Sequence, residues 1–256
     1  MLGAIIGDIV GSVFEWNNIK TTDFTLFNQN CTFTDDTVLT VATAKALMRG
    51  MDYVEVYQDF SRRYEGRGYG GHFLSWIYAE DPQPYNSWGN GSAMRVSPVG
   101  FALDSVEAVL AEARRSAEVT HNHPEGIKGA QATALAVLLG RQGISQEEIR
   151  AEITNRFDYD LERTVEDIRP SYTYDVSCQG SVPEAIIAFL DSEDFEDAIR
   201  KAISLGGDSD TIACITGGIA EAYYGGVPSA MAEKGKSYLP DEFLEIIAEF
   251  EDWRKG

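Results

Sequence analysis

The spacing of apolar residues along the chain is mostly that of helices. Apolar and small residues recur three and four positions apart in runs bounded by Ser, Asp, Pro or Gly. Ser145 and Glu148 also match the Ser-x-x-Glu pattern of a capping box. Five runs predict helices on these grounds: 126–143, 145–157, 183–192, 194–206 and 240–253.

Alternating patterns typical of strands are scarce. The best candidate is the short segment YTYDVS at 172–177, and no strand–helix–strand rhythm surrounds it. The pattern therefore predicts an all-α fold, and no linker or composition shift divides the chain, so we expect one domain over 1–256. Three longer pieces, 17–33, 64–98 and 168–182, look irregular, and loops of that length are usually functional or mobile.

Two stripes run along the predicted first helix. One consists of glycines at every fourth position, which let a neighbouring helix approach closely: Gly3, Gly7 and Gly11. The other is polar and follows helical spacing i, i+4 and i+7: Asp8, Ser12 and Glu15. A polar stripe on an otherwise apolar helix either faces solvent or lines a site, and this pattern leaves both open.

A pair of aspartates stands between two threonines in 34-TDDT-37, ahead of small and apolar residues. Thr34 has the side chain of a helix N-cap, and acids in the first turn complement the helix dipole. Capping thus predicts the start of a helix here. A cap needs one acceptor, however, whereas this segment supplies two carboxylates and a hydroxyl.

A second acidic segment, 208-DSDT-211, follows a Gly pair and also precedes small and apolar residues. Two acidic helix entrances of one kind are hard to explain by capping alone. Hard divalent cations prefer several oxygen ligands, and Mg²⁺ takes carboxylates together with retained waters. If the two segments face each other, their four carboxylates and two hydroxyls predict a site for one or two such ions.

The charge balance restricts the partners. The formal net charge is −20, with 41 acidic and 21 basic residues. Proteins bind nucleic acids by neutralising phosphates with Lys and Arg, so we expect no general nucleic-acid binding, and none to an anionic membrane. Three cysteines at wide spacings, Cys31, Cys178 and Cys214, predict neither a disulfide framework nor a zinc site.

The apolar first residues, 1-MLGAIIGDIVGSVF-14, lack a basic flank and are interrupted by Asp8. They predict neither a signal peptide nor a membrane span. We therefore expect a cytoplasmic protein.

Five blocks in order along the chain resemble the ADP-ribosylglycohydrolase family, which includes the dinitrogenase reductase-activating glycohydrolases. They are 6-IGDIVGSVFE-15, 34-TDDT-37, 89-GNGSAMRVSPVG-100, 120-TH-121 and 206-GGDSDTIACITGGIAEAYYG-225. Any one block is weak evidence for the resemblance, but five blocks in the family's order are specific evidence. The resemblance implies a compact all-α fold with two Mg²⁺ ions, or Mn²⁺ in some members.

The resemblance also implies roles for individual residues. Glu15 matches an acidic residue near the metals with catalytic or metal-gating duties, and Asp36 is the second catalytic candidate. The implied metal ligands are Thr34, Asp35, Asp36, Asp208, Asp210 and Thr211. The glycine-rich loops 66–71 and 87–92 resemble the segments around the diphosphate and ribose, where Gly lets backbone N–H groups approach phosphate. The implied substrate-binding residues are Tyr69, Gly70, Gly71, Ser87, Trp88, Gly89, Asn90, Gly91 and His121.

The implied activity is hydrolysis of the C1″ glycosidic bond of an ADP-ribosyl group, releasing ADP-ribose from a modified acceptor. Two enzymatic alternatives remain: a related free ADP-ribose derivative, or an ADP-ribosylated base. Two alternatives without catalysis also remain, a silent ADP-ribose-binding or structural relative and a calcium-stabilised scaffold. A silent relative is expected to lose a carboxylate, and this chain keeps the full set.

Overall fold

The chain folds almost entirely into helices in the computed structural model, which describes residues 1–255. Pairing between extended segments within these residues is limited to an isolated antiparallel bridge of Gly89 with Ser177. The prediction of an all-α fold is confirmed. The helices are α1 (Leu2–Gly11), α2 (Asp35–Arg49), α3 (Tyr53–Arg63), α4 (Gly71–Ile77), α5 (Gly91–Met94), α6 (Ser97–Ala102), α7 (Val106–Glu118), α8 (Pro124–Arg141), α9 (Gln146–Phe157), α10 (Val165–Ile168), α11 (Cys178–Leu190), α12 (Phe195–Ser204), α13 (Ser209–Tyr223), α14 (Ser229–Lys236) and α15 (Asp241–Trp253). One domain over 1–256 stays a prediction, and residue 256 lies outside the described residues.

The five predicted helical runs correspond to α8, α9, α11, α12 and α15. The capping box at the start of α9 is present. The Ser145 side chain accepts from the Glu148 N–H, and the Glu148 side chain accepts from the Ser145 N–H. The start of α11 differs from the prediction. Ser177 caps this helix by accepting from the Gly180 N–H, so Pro183 lies inside it rather than at its beginning.

Three local predictions were wrong. The segment 172–177 is extended but has no partner strand. Its two tyrosines contact different parts of the protein: the Tyr172 hydroxyl donates to the Gly180 carbonyl, and the Tyr174 hydroxyl donates to Glu15. The first helix ends at Gly11, so Glu15 belongs to the turn that follows rather than to a helical stripe. The stretch 64–98, expected to be irregular, contains α4, α5 and the start of α6.

The glycine stripe of α1 packs directly against α13, as the four-residue spacing predicts. A Cβ on Gly7 would overlap the Ala213 carbonyl and would lie 2.8 Å from the Cys214 nitrogen. A Cβ on Gly11 would lie 2.5 Å from the Asp210 Cα. Both are contacts with backbone, which cannot rotate away. The stripe therefore sets the distance between the end of α1 and the beginning of α13.

The helix α13 lies at the centre of the fold and packs against α1, α8, α11 and α12. Its residues from Ser209 to Ala222 are buried, including the polar Asp210, Thr211, Thr216 and Glu221. The helix α2 contacts both α1 and α13, so the two acidic segments begin neighbouring helices. Within residues 1–255, no helix combines the length and the apolar character needed to span a membrane.

Candidate functional site

The two acidic helix entrances meet at the bottom of a cavity. Asp36 and Asp210, in the first turns of α2 and α13, are both buried. The Thr211 hydroxyl donates to Asp36 Oδ2 across the junction, at 3.4 Å. Thr34 is the N-cap of α2, and its side chain accepts from the Asp36 N–H. Capping and convergence of the carboxylates therefore occur together.

Two groups of carboxylates form at this junction. In each group one oxygen per residue lies within 4.8 Å of one from every other member, and Asp210 belongs to both: Asp8, Asp36 and Asp210 form the first group, and Glu15, Asp208 and Asp210 form the second. Asp35 belongs to neither group, although it lines the same cavity. The arrangement suits oxygen-preferring cations.

Asp8 is fully buried beneath the cavity and organises the start of α2. Its carboxylate accepts from the backbone N–H groups of Thr34 and Thr37, at 2.9 and 3.1 Å. It also accepts from both hydroxyls, that of Thr34 at 2.7 Å and that of Thr37. The polar stripe of the first helix thus contributes a carboxylate that fixes the neighbouring helix entrance.

Burial and mutual repulsion act on the acidic cluster. The pKa of Asp36 is raised well above its ordinary value, first by burial and then by the charges of Asp8 and Asp35. The pKa of Asp210 is raised in the same way, by burial and then by Asp208. Asp36 Oδ1 is buried without a hydrogen-bond partner among the described residues. Closely placed carboxylates with an unpartnered oxygen fit a divalent cation, which would supply the missing positive charge.

The cavity above the carboxylates has a volume of about 320 Å³. Its wall contains most of the site residues predicted from sequence, namely Glu15, Asp35, Asp36, Gly70, Gly71, Ser87, Gly89, Asn90, Gly91, His121, Asp208, Asp210 and Thr211. Both glycine-rich loops therefore border the same space as the acidic groups.

Three predicted site residues do not line the cavity. Thr34 lies below it, with its hydroxyl on Asp8. Tyr69 is buried, and its hydroxyl donates to the Tyr64 carbonyl. Trp88 is exposed and lies beside His123, which accepts from the Glu125 N–H at the start of α8. Their roles in binding stay predictions.

His121 is held in one orientation by a short hydrogen-bonded chain. Arg95 Nη2 donates to Thr120 Oγ1 at 2.9 Å, and that oxygen lies 2.7 Å from His121 Nδ1. The Thr120 hydroxyl also contacts the Ala117 carbonyl, so Arg95, Thr120 and the backbone together fix the His121 ring. Nε2 faces the loop, since it would lie 3.2 Å from a Cβ on Gly91. Burial and the Arg95 charge lower the pKa of His121 well below its ordinary value, which keeps the ring neutral.

Arg95 gives this part of the cavity a positive charge. The residue is fully buried, and its Nε and Nη1 have no hydrogen-bond partner among the described residues. Its guanidinium lies over the Tyr57 ring, 4.3 Å from the centroid. The cavity wall therefore contains both the carboxylates and a buried positive charge, that of Arg95.

The match to known proteins extends over almost the whole chain. A model of the family described as ADP-ribosylglycohydrolase matches residues 1–254. The chain belongs to the ADP-ribosylglycohydrolase family. The resemblance seen in five motif blocks is thereby confirmed, and the chain is a hydrolase of the class that acts on ADP-ribose linkages.

Individual relatives in this glycohydrolase family support the assignment. ADP-ribosylhydrolase ARH3 of Bos taurus is 29% identical over 95% of this chain and 89% of its own length. ADP-ribosylarginine hydrolase Tri1 of Pseudomonas putida (strain GB-1) is 31% identical over 63% of this chain and 45% of its own length. A solved structure titled "ADP-ribosylglycohydrolase-related protein complex" matches with a TM-score of 0.71 and 26% identity, over 93% of this chain and 94% of that one.

Residues beyond the predicted set also belong to the glycohydrolase site. Asp8, beneath the cavity, is part of the polar stripe, but the sequence does not show its contact with Thr34 and Thr37. Tyr174 lines the wall, as do Arg95, inside the block 89–100, and Tyr85, one of several aromatics near the motif blocks that the sequence cannot rank. A buried arginine without an acidic partner leaves no mark in a hydropathy pattern, and Tyr174 was assigned to a strand.

Hydrogen bonds hold the irregular segments around the cavity together. Asn18 donates to the Gly207 carbonyl at 2.9 Å and accepts from the Gly207 N–H at 2.7 Å. Lys20 donates to the carbonyls of Tyr172 and Leu205. The turn with Glu15, the segment with Tyr174 and the loop before Asp208 are thereby tied to one another.

Proposed function

We propose that this chain hydrolyses the C1″ glycosidic bond of an ADP-ribosyl group and releases ADP-ribose from a modified acceptor. The observation that carries the proposal is the convergence of the two acidic helix entrances and Glu15 in one cavity. The reaction class passes through positive charge on the distal ribose, and carboxylates beside it favour that charge.

The cation site of the proposal comprises the two carboxylate groups around Asp210. Asp36, Asp208 and Asp210 would hold the ions, with Glu15 at the edge of the second group and Asp35 beside the first. When bound, two divalent cations, Mg²⁺ or else Mn²⁺, orient ribose hydroxyls and lower the pKa of a bound water. The hydroxyls of Thr34 and Thr211 complete the proposed ligand set.

The substrate diphosphate is proposed to lie along the loop 87–91. Backbone N–H groups near glycines approach phosphate oxygens closely, and Arg95 adds a full positive charge behind the loop. His121 Nε2 faces the same loop, and the neutral ring adds a polar contact there without a charge of its own. An acidic protein can bind an anionic nucleotide in this way, because the backbone N–H groups and Arg95 receive the diphosphate.

Glu15 is the proposed acid–base residue. It is partly exposed in the cavity wall, whereas the aspartates around it are buried. Burial and then the Asp208 charge raise its pKa, while hydrogen bonds from Tyr174 and Trp16 act in the opposite direction. A carboxylate with a raised pKa is suited to positioning or deprotonating the attacking water, or to helping the leaving group depart.

The decisive experiment is an assay of ADP-ribose release from a substrate panel, with Mg²⁺ and then with chelator. The panel contains ADP-ribosylarginine, ADP-ribosylserine, ADP-ribosylated DNA and a free ADP-ribose ester; the name of the Tri1 relative supports the first. Release that depends on the cation is the expected result. Binding of ADP-ribose without any turnover would instead identify a silent relative, and cation binding without nucleotide binding a scaffold.

Glu15→Gln is expected to lower kcat by roughly a hundredfold or more, since general acid–base catalysis contributes about 10²–10⁴. Affinity for ADP-ribose, measured by calorimetry, is expected to stay within about threefold, because the amide keeps the shape of the side chain. Glu245→Gln, an exposed residue on α15, is the matched control. Wild-type kcat in Glu15→Gln would remove Glu15 from the mechanism.

A further inference from the structure

We propose that Trp16 and Tyr174 form a subsite for the acceptor group of the substrate, and that this subsite selects a planar cation, the guanidinium of a modified arginine. The inference rests on the proposed function for the direction in which the substrate lies. The subsite itself follows from the contacts around the cavity mouth.

Contacts between wall residues connect the groups around the cavity. Tyr85 lies at one end, with its ring centroid 6.1 Å from that of His121. His121 faces Gly91 in the glycine-rich loop. From the same loop, Asn90 Nδ2 donates to Asp208 at 2.6 Å. The loop therefore lies between an aromatic end and the carboxylates.

Further contacts connect the carboxylates to the aromatic pair. Asp208 shares its carboxylate group with Glu15. Glu15 Oε1 accepts from the Tyr174 hydroxyl at 3.3 Å, and the Tyr174 ring stacks on Trp16 with centroids 5.4 Å apart and planes 26° apart. The aromatic pair is thus joined to the carboxylates through Glu15, and its segment also borders the loop, since the Asn90 N–H donates to the Val176 carbonyl at 2.8 Å.

The contact with Glu15 assigns the pair to the acceptor, since the proposed acid–base residue lies at the bond to be cleaved. With the diphosphate on the loop and C1″ of the ribose at the carboxylates, the nucleotide occupies the side of Tyr85. The bond to be cleaved then points toward Glu15, and the group beyond it lies at Trp16 and Tyr174. ADP-ribose, the product, has only a hydroxyl at that position and does not reach the pair.

The chemistry of the pair favours a planar cation. Trp16 is 75% exposed and Tyr174 44% exposed, so both rings offer surface to a ligand. The faces of aromatic rings attract cations, and guanidinium groups stack on them. The Glu15 carboxylate lies next to the rings, and the net charge of −20 disfavours an anionic polymer. A serine side chain, in contrast, has no planar group to cover the rings.

The test compares Trp16→Ala with wild type on ADP-ribosylarginine and ADP-ribosylserine peptides of one sequence. KM for the arginine substrate is expected to rise about tenfold, the equivalent of about 1.4 kcal/mol of cation–π interaction. KM for the serine substrate is expected to change by less than about twofold, and so is the Kd of ADP-ribose, since neither contacts the ring. A fall in kcat is expected to be shared by both substrates, because Trp16 also forms a hydrogen bond with Glu15. Trp16→Phe keeps an aromatic face and is expected to restore most of the preference. Trp253→Ala, an exposed tryptophan on α15, is the matched control.

Equal rises in KM for arginine and serine substrates would overturn the selection of a cation. A parallel loss of ADP-ribose affinity would show that Trp16 contacts the nucleotide instead, and would equally overturn the proposal. If wild type hydrolyses no panel member, the proposed function fails by itself. The subsite is then decided by equilibrium binding, where ADP-ribosylarginine must bind more tightly than ADP-ribose to wild type and equally to Trp16→Ala.

Discussion

Asp210→Asn is expected to abolish the stabilisation of this protein by Mg²⁺ or Mn²⁺ and to lower hydrolysis by roughly a hundredfold to a thousandfold. Asp210 is the member common to both carboxylate groups, so its loss affects each. Several kcal/mol of catalysis depend on a bound cation in such sites, and each 1.36 kcal/mol is about tenfold in rate. Thermal unfolding with increasing MgCl₂ measures the first effect independently of turnover.

In the absence of a bound cation, Asp210→Asn is expected to raise the stability of the fold. Because burial and Asp208 raise the pKa of Asp210, its ionised form destabilises the fold at neutral pH. The folded state binds this proton more tightly than the unfolded state, so the penalty is present above the raised pKa and is relieved as pH falls through it. Asp210→Asn is therefore expected to have a higher Tm than wild type in chelator at pH 7.5, with a smaller difference toward pH 5.

Asp252→Asn is the control for the charge change, since its side chain is 87% exposed and distant from the cavity wall. It is expected to leave the Mg²⁺ response unchanged. A full Mg²⁺ response in Asp210→Asn would show that the carboxylate groups do not bind the cation.

Gly7→Ala is expected to destabilise the protein by about 3 kcal/mol or more, at the upper end of overpacking effects. The added methyl group would overlap the Ala213 carbonyl of α13, and helix backbone cannot move aside without separating α1 from α13. For a chain of this size, that corresponds to a fall in Tm of about 6–12 °C. Chemical denaturation measures the free energy of unfolding directly.

Gly71→Ala serves as the control for stability alone. A Cβ at Gly71 meets nothing within 4 Å, so the free energy of unfolding is expected to change by about 0.5 kcal/mol or less. If Gly7→Ala is as stable as Gly71→Ala, the close approach of α1 and α13 is not a constraint on the fold.

Local signals in the sequence predicted the helices well where spacing and caps agreed. The run at 145–157 had both, and its capping box is present in α9. The segment 172–177 shows why the strand prediction was wrong. In a strand, Tyr172 and Tyr174 would lie on the same face, being two positions apart. Here Tyr172 reaches α11 and Tyr174 reaches Glu15 in the cavity wall, so the segment does not keep the geometry of a strand.

The candidate site was predictable as a set of residue types and less so as a geometry. The aspartates and threonines of 34–37 and 208–211 predicted that both segments bind cations, and the structure brings Asp36 and Asp210 into one group. Asp35, from the same segment as Asp36, is in neither group, because residues adjacent in a helical turn point in different directions. Arg95 was beyond such reasoning, and Trp16 was one of several aromatics near the motif blocks that the sequence could not rank, since the importance of both depends on what surrounds them.

The sequence by itself determined the all-α fold, the two acidic helix entrances and the glycine stripe that permits close helix packing. Each of these is a property of neighbouring residues in a helix. Only the tertiary structure decided that Asp36 meets Asp210, that Asp8 fixes the start of α2, and that Trp16 stacks on Tyr174. In two of these pairs the partners are more than a hundred residues apart in the sequence. Contacts of that range are set by the packing of whole helices, above all of α1 against α13.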